Sequence, residues 1–146
     1  MDFEPILNTF EDATHVMGYS QGKLVSHALW VTRWLQCPDA PALRTAYVEA
    51  VATHTTARRM GFATAVMRSL ATSIHDFDLG ALSPSETSLY LRLGWEFWRG
   101  PLAIRTPNAL LPTPEEEKVM ILRLPNTPPL DLDLPLSADW REGELW

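Results

Sequence analysis

The chain has 146 residues, 46% hydrophobic and 21% charged, and a formal net charge of -6, a composition that fits one globular domain and excludes disordered and collagen-like chains. The acidic balance argues against a nucleic-acid binder and for a cationic ligand, and no apolar run approaches the ~20 residues that span a bilayer. The opening Met1-Asp2-Phe3-Glu4 is no secretory signal and the lone Cys37 closes no internal disulfide, so a cytoplasmic protein is expected.

Thr14–Tyr19 reads as a short strand, and Ser20-Gln21-Gly22 as the turn of a β-hairpin whose second arm runs from Lys23 to Leu35. Trp30 and Trp34, four residues apart, fall on one face of that arm as core or dimer interface. After the break at Cys37–Pro41, Ala46–Ala52 is an apolar strand with one charge, Glu49, set into it. Ala63, Val66, Met67, Leu70 and Ile74 recur at steps of three and four, which predicts a helix from about Arg59 to His75. Phe77–Leu82 follows as a buried strand and Ser85–Leu93 as a second helix, ended by Gly94 at the position after its C-cap. Trp95–Trp98 and Val119–Leu124 are two further strands. The expected fold is α/β (α+β): one mixed, mainly antiparallel sheet flanked by helices.

Charge and proline concentrate near the end. Residues 101–146 hold eight of the twelve prolines, with eight acids against four bases, so this segment should be extended or looped.

The chemistry centres on Val48–Ala63. A strand ends, and Arg58-Arg59-Met60-Gly61-Phe62-Ala63 opens a helix. Glycine allows close backbone approach, and the unpaired N–H groups of a helix start bind anions. A pyrophosphate could sit there; an ordinary helix start with solvated arginines is the plainer reading of those six residues alone. His15, His27, His54 and His75 lack metal-ligand spacing, so no metal is expected.

Strand, Arg-x-x-Gly-x-Ala, helix, strand, and a helix carrying Tyr90 and ending in Gly94-Trp95 resemble the acetyl-CoA-binding core of the GNAT acyltransferases. Tyr47-Val48-Glu49, Gly80-Ala81-Leu82-Ser83, Leu89-Tyr90 and the ending Asp139-Trp140-Arg141-Glu142-Gly143-Glu144-Leu145-Trp146 look like the aminoglycoside 2′-N-acetyltransferases. The resemblance implies that acetyl-CoA is the cosubstrate. Its pantetheine arm would lie along Val51 and Thr53, the Val51 N–H would face the thioester oxygen, and the N–H groups of Arg58, Arg59, Met60, Gly61, Phe62 and Ala63 would cradle the pyrophosphate. Glu49 would be the general base, Tyr90 the general acid, and Ser83 a further candidate for proton transfer. The cationic substrate would meet Asp2, Glu49, Glu116, Glu144 and Trp146 with its terminal carboxylate, as carboxylates without neutralising partners. For Glu115–Glu117 a solvated turn after Pro114 is the alternative.

The resemblance begins almost at Asp2, so a single GNAT domain over 1–146 with a shortened N-terminus is expected. The tail, 101–146, would lie on its substrate side. The function implied is acetylation of an aminoglycoside antibiotic, at the 2′-amine or on a kasugamycin-like substrate, conferring resistance, by a homodimer. Two other readings stay open. One is a non-catalytic module that sequesters a cationic small molecule or CoA; the other is a peptide N-acetyltransferase.

Overall fold

Strand-forming residues dominate the first half of the chain, and in the computed structural model, which describes residues 13–146, they pair into one sheet. β1 (Thr14–Ser20) and β2 (Lys23–Gln36) form the expected hairpin. Its two turn residues, Gln21 and Gly22, both have positive φ, 51° and 78°, the geometry that matches the twist of a two-residue hairpin. β3 (Leu43–Thr53) pairs antiparallel with β2, and β4 (Leu79–Leu82) pairs parallel with β3. A parallel pair needs a crossover. Here a short 3₁₀ turn at Thr55–Ala57 and helix α1 (Phe62–Ser73) supply it.

α1 starts three residues later than its apolar stripe suggests. Arg58 is extended, and Arg59 and Gly61 have φ of 65° and 84°, outside the right-handed helical region. α2 is likewise shortened, to Ser88–Arg92, because the Glu86 carboxylate accepts from both the N–H and the hydroxyl of Ser88 and diverts the first turn. Gly94 ends it as expected: at φ 93° it lets the Trp95 N–H reach the Tyr90 carbonyl.

Residues 101–146 carry more sheet than proline content suggests. The two expected strands form, shorter than their apolar runs, as β5 (Glu96–Phe97) and β8 (Met120–Arg123): β8 pairs with β4, and β5 lies beyond it on β8. β6 (Leu102–Arg105), β7 (Leu110–Pro112) and β9 (Leu136–Asp139) are additions on the opposite side. The order is β5-β8-β4-β3-β2-β9-β6-β7, with β1 on the first half of β2. Pro112 is tolerated because β7 is an edge strand.

Alternation along β3 divides the core. Ala46 and Val48 face α1 with Leu70, Ile74 and Phe77, while Tyr47 faces Trp98, Leu132, Leu136 and Trp146 from the tail. Trp30 packs edge-on against Phe77 at 4.9 Å, but Trp34 is 44% exposed. Among the described residues no helix is long and apolar enough to cross a membrane.

Candidate functional site

The site begins where β3 and β4 part. Their parallel pairing runs from Thr45 and Leu79 to Val48 and Leu82 and then stops, while β3 continues to Thr53. On its other edge β3 has a bulge: Leu29 pairs with Glu49 and His27 with Ala52, so Ala50 and Val51 together oppose Ala28. Ala50 takes a φ of 53°, a left-handed conformation that costs a residue with a Cβ about 1–2 kcal/mol. The bulge bends the strand away from β4 and leaves the inner edge at Val51 without a ladder partner from β4. Thr53, expected along the same edge as Val51, lies two residues past the bulge, its hydroxyl 2.9 Å from that of Ser26.

One arm of the opening leads to a cleft of about 440 Å³. Thr53, Arg58, Arg59, Gly61, Phe62 and Ala63 are among its wall residues; Met60, whose N–H was expected in the same cradle, does not line it and is 66% exposed. Gly61 caps α1 with no side-chain hydrogen bond to the helix start, so the first N–H groups and the positive end of the helix dipole are available to an anion. Arg92 of α2 closes the far wall with Leu89. Sequence reasoning missed Arg92, whose only local signal was its place two residues after Tyr90. This donor set fits a pyrophosphate.

The other arm leads to an acidic cleft of about 210 Å³ walled by Tyr47, Glu49, Ser83, Glu117, Glu144 and Trp146. An adjoining cleft of about 320 Å³ shares the last three. Glu117, rather than Glu116, is the wall residue: its carboxylate accepts from the Ser83 hydroxyl at 2.7 Å, while Glu115 and Glu116 are exposed in the turn after Pro114. The expectation that Glu49 lacks a neutralising partner is corrected. Arg141 bonds its carboxylate through Nη2. Arg33, 2% exposed, and Arg141 lie 5.0 and 5.2 Å from the Tyr47 ring centroid. Trp146 is buried, and its indole N–H donates to Thr113 at 2.9 Å. Burial pushes the Tyr47 hydroxyl pKa well above its ordinary value, and that hydroxyl has no protein partner. Asp2 lies outside the described residues.

Tyr90, on α2, packs into the core beside α1, 8% exposed, with its ring 6.1 Å from that of Trp95, and lines neither cleft. Burial first, and the Glu86 charge second, raise its hydroxyl pKa, so it keeps its proton at neutral pH. Among the described residues no three His, Cys, Asp or Glu side chains are grouped as metal ligands would be.

Two parallel strands that part at a bulge, beside a glycine-opened helix start, define an acyl-CoA-dependent transferase fold. Residues 4–98 match the acetyltransferase (GNAT) domain family, and the chain belongs to it. It is 38% identical over 138 residues to the aminoglycoside 2′-N-acetyltransferase of Mycolicibacterium fortuitum, spanning 90% of this chain and 70% of that protein. Among solved structures it is similar to Eis1 from Mycobacterium abscessus, with 26% identity and a TM-score of 0.55 over 61% of this chain; it spans 23% of Eis1. The GNAT family N-acetyltransferase YhbS from Escherichia coli, solved in complex with CoA, shares the fold at 15% identity, with a TM-score of 0.57 over 84% of this chain and 63% of that one.

Proposed function

We propose that the chain transfers the acetyl group of acetyl-CoA to an amine of an aminoglycoside, the 2′-amine by likeness to the Mycolicibacterium fortuitum enzyme, and so confers resistance. The observation that carries this reading is the free β3 edge at Val51, set between an anion-binding cleft and an acidic one. Arg58, Arg59, Arg92 and the α1 N-terminus hold the pyrophosphate, and the Val51 N–H donates to the thioester oxygen as negative charge develops there. Such a donor is worth ~10²–10³ in rate. Glu49 takes the proton of the attacking amine through a water, a contribution of ~10²–10⁴. As the C–S bond breaks, Tyr90 gives its proton to the thiolate. Glu117, Glu144 and Trp146 receive the remaining ammonium groups, and Ser83 holds Glu117 in place.

The test is thiol release from acetyl-CoA against a panel of aminoglycosides, kasugamycin included, with mass spectrometry to identify the acetylated amine. Release with at least one member is expected, and its absence with every member sinks the substrate assignment. Tyr90→Phe and Glu49→Gln should each lower turnover.

A second reading, a module that binds a polyamine without turnover, draws support from the ion pair that occupies Glu49. Calorimetric binding of an aminoglycoside with no thiol release would favour it.

A further inference from the structure

His27 lies on β2, fully buried, directly beside the bulge. Its Nδ1 stands 3.3 Å from the Ala50 carbonyl oxygen, and its Nε2 2.9 Å from Nδ1 of His15 on β1. A carbonyl oxygen only accepts, so Nδ1 of His27 carries the proton and donates; Nε2 then accepts from His15. The Ala50 carbonyl and the Val51 N–H belong to one peptide unit. In a trans peptide they point in opposite directions across a rigid plane. A donor that grips the carbonyl from the β2 side therefore aims the N–H toward the opening between β3 and β4. The same bond polarises the peptide and strengthens its N–H as a donor. Ala50 stands at a φ of 53°, where a residue with a Cβ persists only if its surroundings hold it.

We propose that His27 is a positioning residue for acetyl transfer, holding the Ala50–Val51 peptide so that the Val51 N–H meets the thioester oxygen, with His15 holding the His27 ring. This rests on the acetyl-CoA reading given above. It assigns a task to a histidine pair that lies outside both clefts and touches no substrate. Without that bond the peptide plane is free to rotate and the N–H is misdirected in the transition state. The loss falls on kcat and leaves acetyl-CoA binding, carried by the distant arginine cleft, nearly unchanged.

The test compares three variants. His27→Leu removes both ring nitrogens, His27→Asn keeps an amide donor near the Nδ1 position, and His27→Gln reaches instead toward the Nε2 position. In acetylation assays His27→Leu and His27→Gln should lose roughly tenfold or more in kcat, part of the full value of an oxyanion donor, with KM for acetyl-CoA within about threefold. His27→Asn should recover most of it. If His27→Leu fails to fold, the Asn and Gln variants decide: His27→Gln as active as His27→Asn, or more so, overturns the proposal. An amide-resolved NMR titration separates this inference from its premise. In the unaltered chain, acetyl-CoA should shift the Val51 amide resonance further than CoA does, because both lay a pantetheine arm along β3 but only acetyl-CoA brings a thioester oxygen to that N–H. Equal shifts, or none, overturn the acetyl-CoA reading and this inference with it, whereas a difference that survives unchanged in His27→Gln overturns the inference alone.

Discussion

Arg141 closes on Glu49: its Nη2 bonds Oε1 of the carboxylate across 92 residues of chain, with the two side chains only 19% and 13% exposed. The arginine comes from the tail that follows β9, so the pair ties this segment to β3 where its pairing with β4 ends. It also means that a cationic substrate reaching Glu49 competes with a cation already there.

Removing one partner of a largely buried pair strands the other. Arg141→Met should cost about 3 kcal/mol of stability, read from denaturant unfolding. With Glu49→Gln in a double-mutant cycle, coupling of about 1–3 kcal/mol is expected. Coupling under about 0.5 kcal/mol would make the contact incidental.

The anion cleft predicts a split in kinetic constants. Arg92→Ala should raise KM for acetyl-CoA roughly fivefold, the equivalent of ~1 kcal/mol for a solvent-facing charge, and leave KM for the aminoglycoside alone. Gly61→Ala, at φ 84°, should cost about 1 kcal/mol of stability as well. Equal effects on both substrates would show damage to the fold instead.

The tail is seated on a glycine. A Cβ at Gly100 would stand 1.9 Å from the Leu134 carbonyl oxygen, against backbone that has nowhere to move. Gly100→Ala should therefore lose about 3 kcal/mol or more. Gly94→Ala meets nothing within 4 Å and has only its φ of 93° against it, so about 1 kcal/mol is expected. Denaturant midpoints of the two variants would rank them.

Acid should weaken the fold through His27. Burial, and secondarily the His15 ring, hold its pKa below the ordinary 6.5, although the Ala50 carbonyl acts in the opposite sense. Below pH 6.5 the unfolded chain takes up a proton that the folded one refuses. It then binds more protons, so stability falls as pH drops from 6.5 toward the folded pKa and is fully present above 6.5. The thermal midpoint should decline over that range, and less steeply in His27→Asn. Identical slopes would assign the decline to other groups.

Much of this was legible in the sequence because it is local. The two-residue hairpin turn, the apolar stripe of α1, Gly94 at the end of α2 and the glycine-opened helix start are each set by a few neighbouring residues, whose backbone preferences act before any tertiary contact forms. Of the six residues Arg58–Ala63, which taken alone read most plainly as an ordinary helix start, five wall a cleft; the family resemblance, not the local pattern, pointed to a pyrophosphate there.

What tertiary structure decided lies across long separations. β9 slots between β2 and β6 through pairs such as Leu35 with Ala138, which no local signal in a proline-rich, acidic segment reveals. That docking brings Arg141 to Glu49 and Trp146 to the wall of the acidic cleft. The pairing of β4 with β8 likewise sets Glu117, not its neighbour, against Ser83. The excess of acidic charge was evident from composition alone. Which carboxylates converge, and which is already held by an arginine, depended on strands that meet only when the whole sheet has formed.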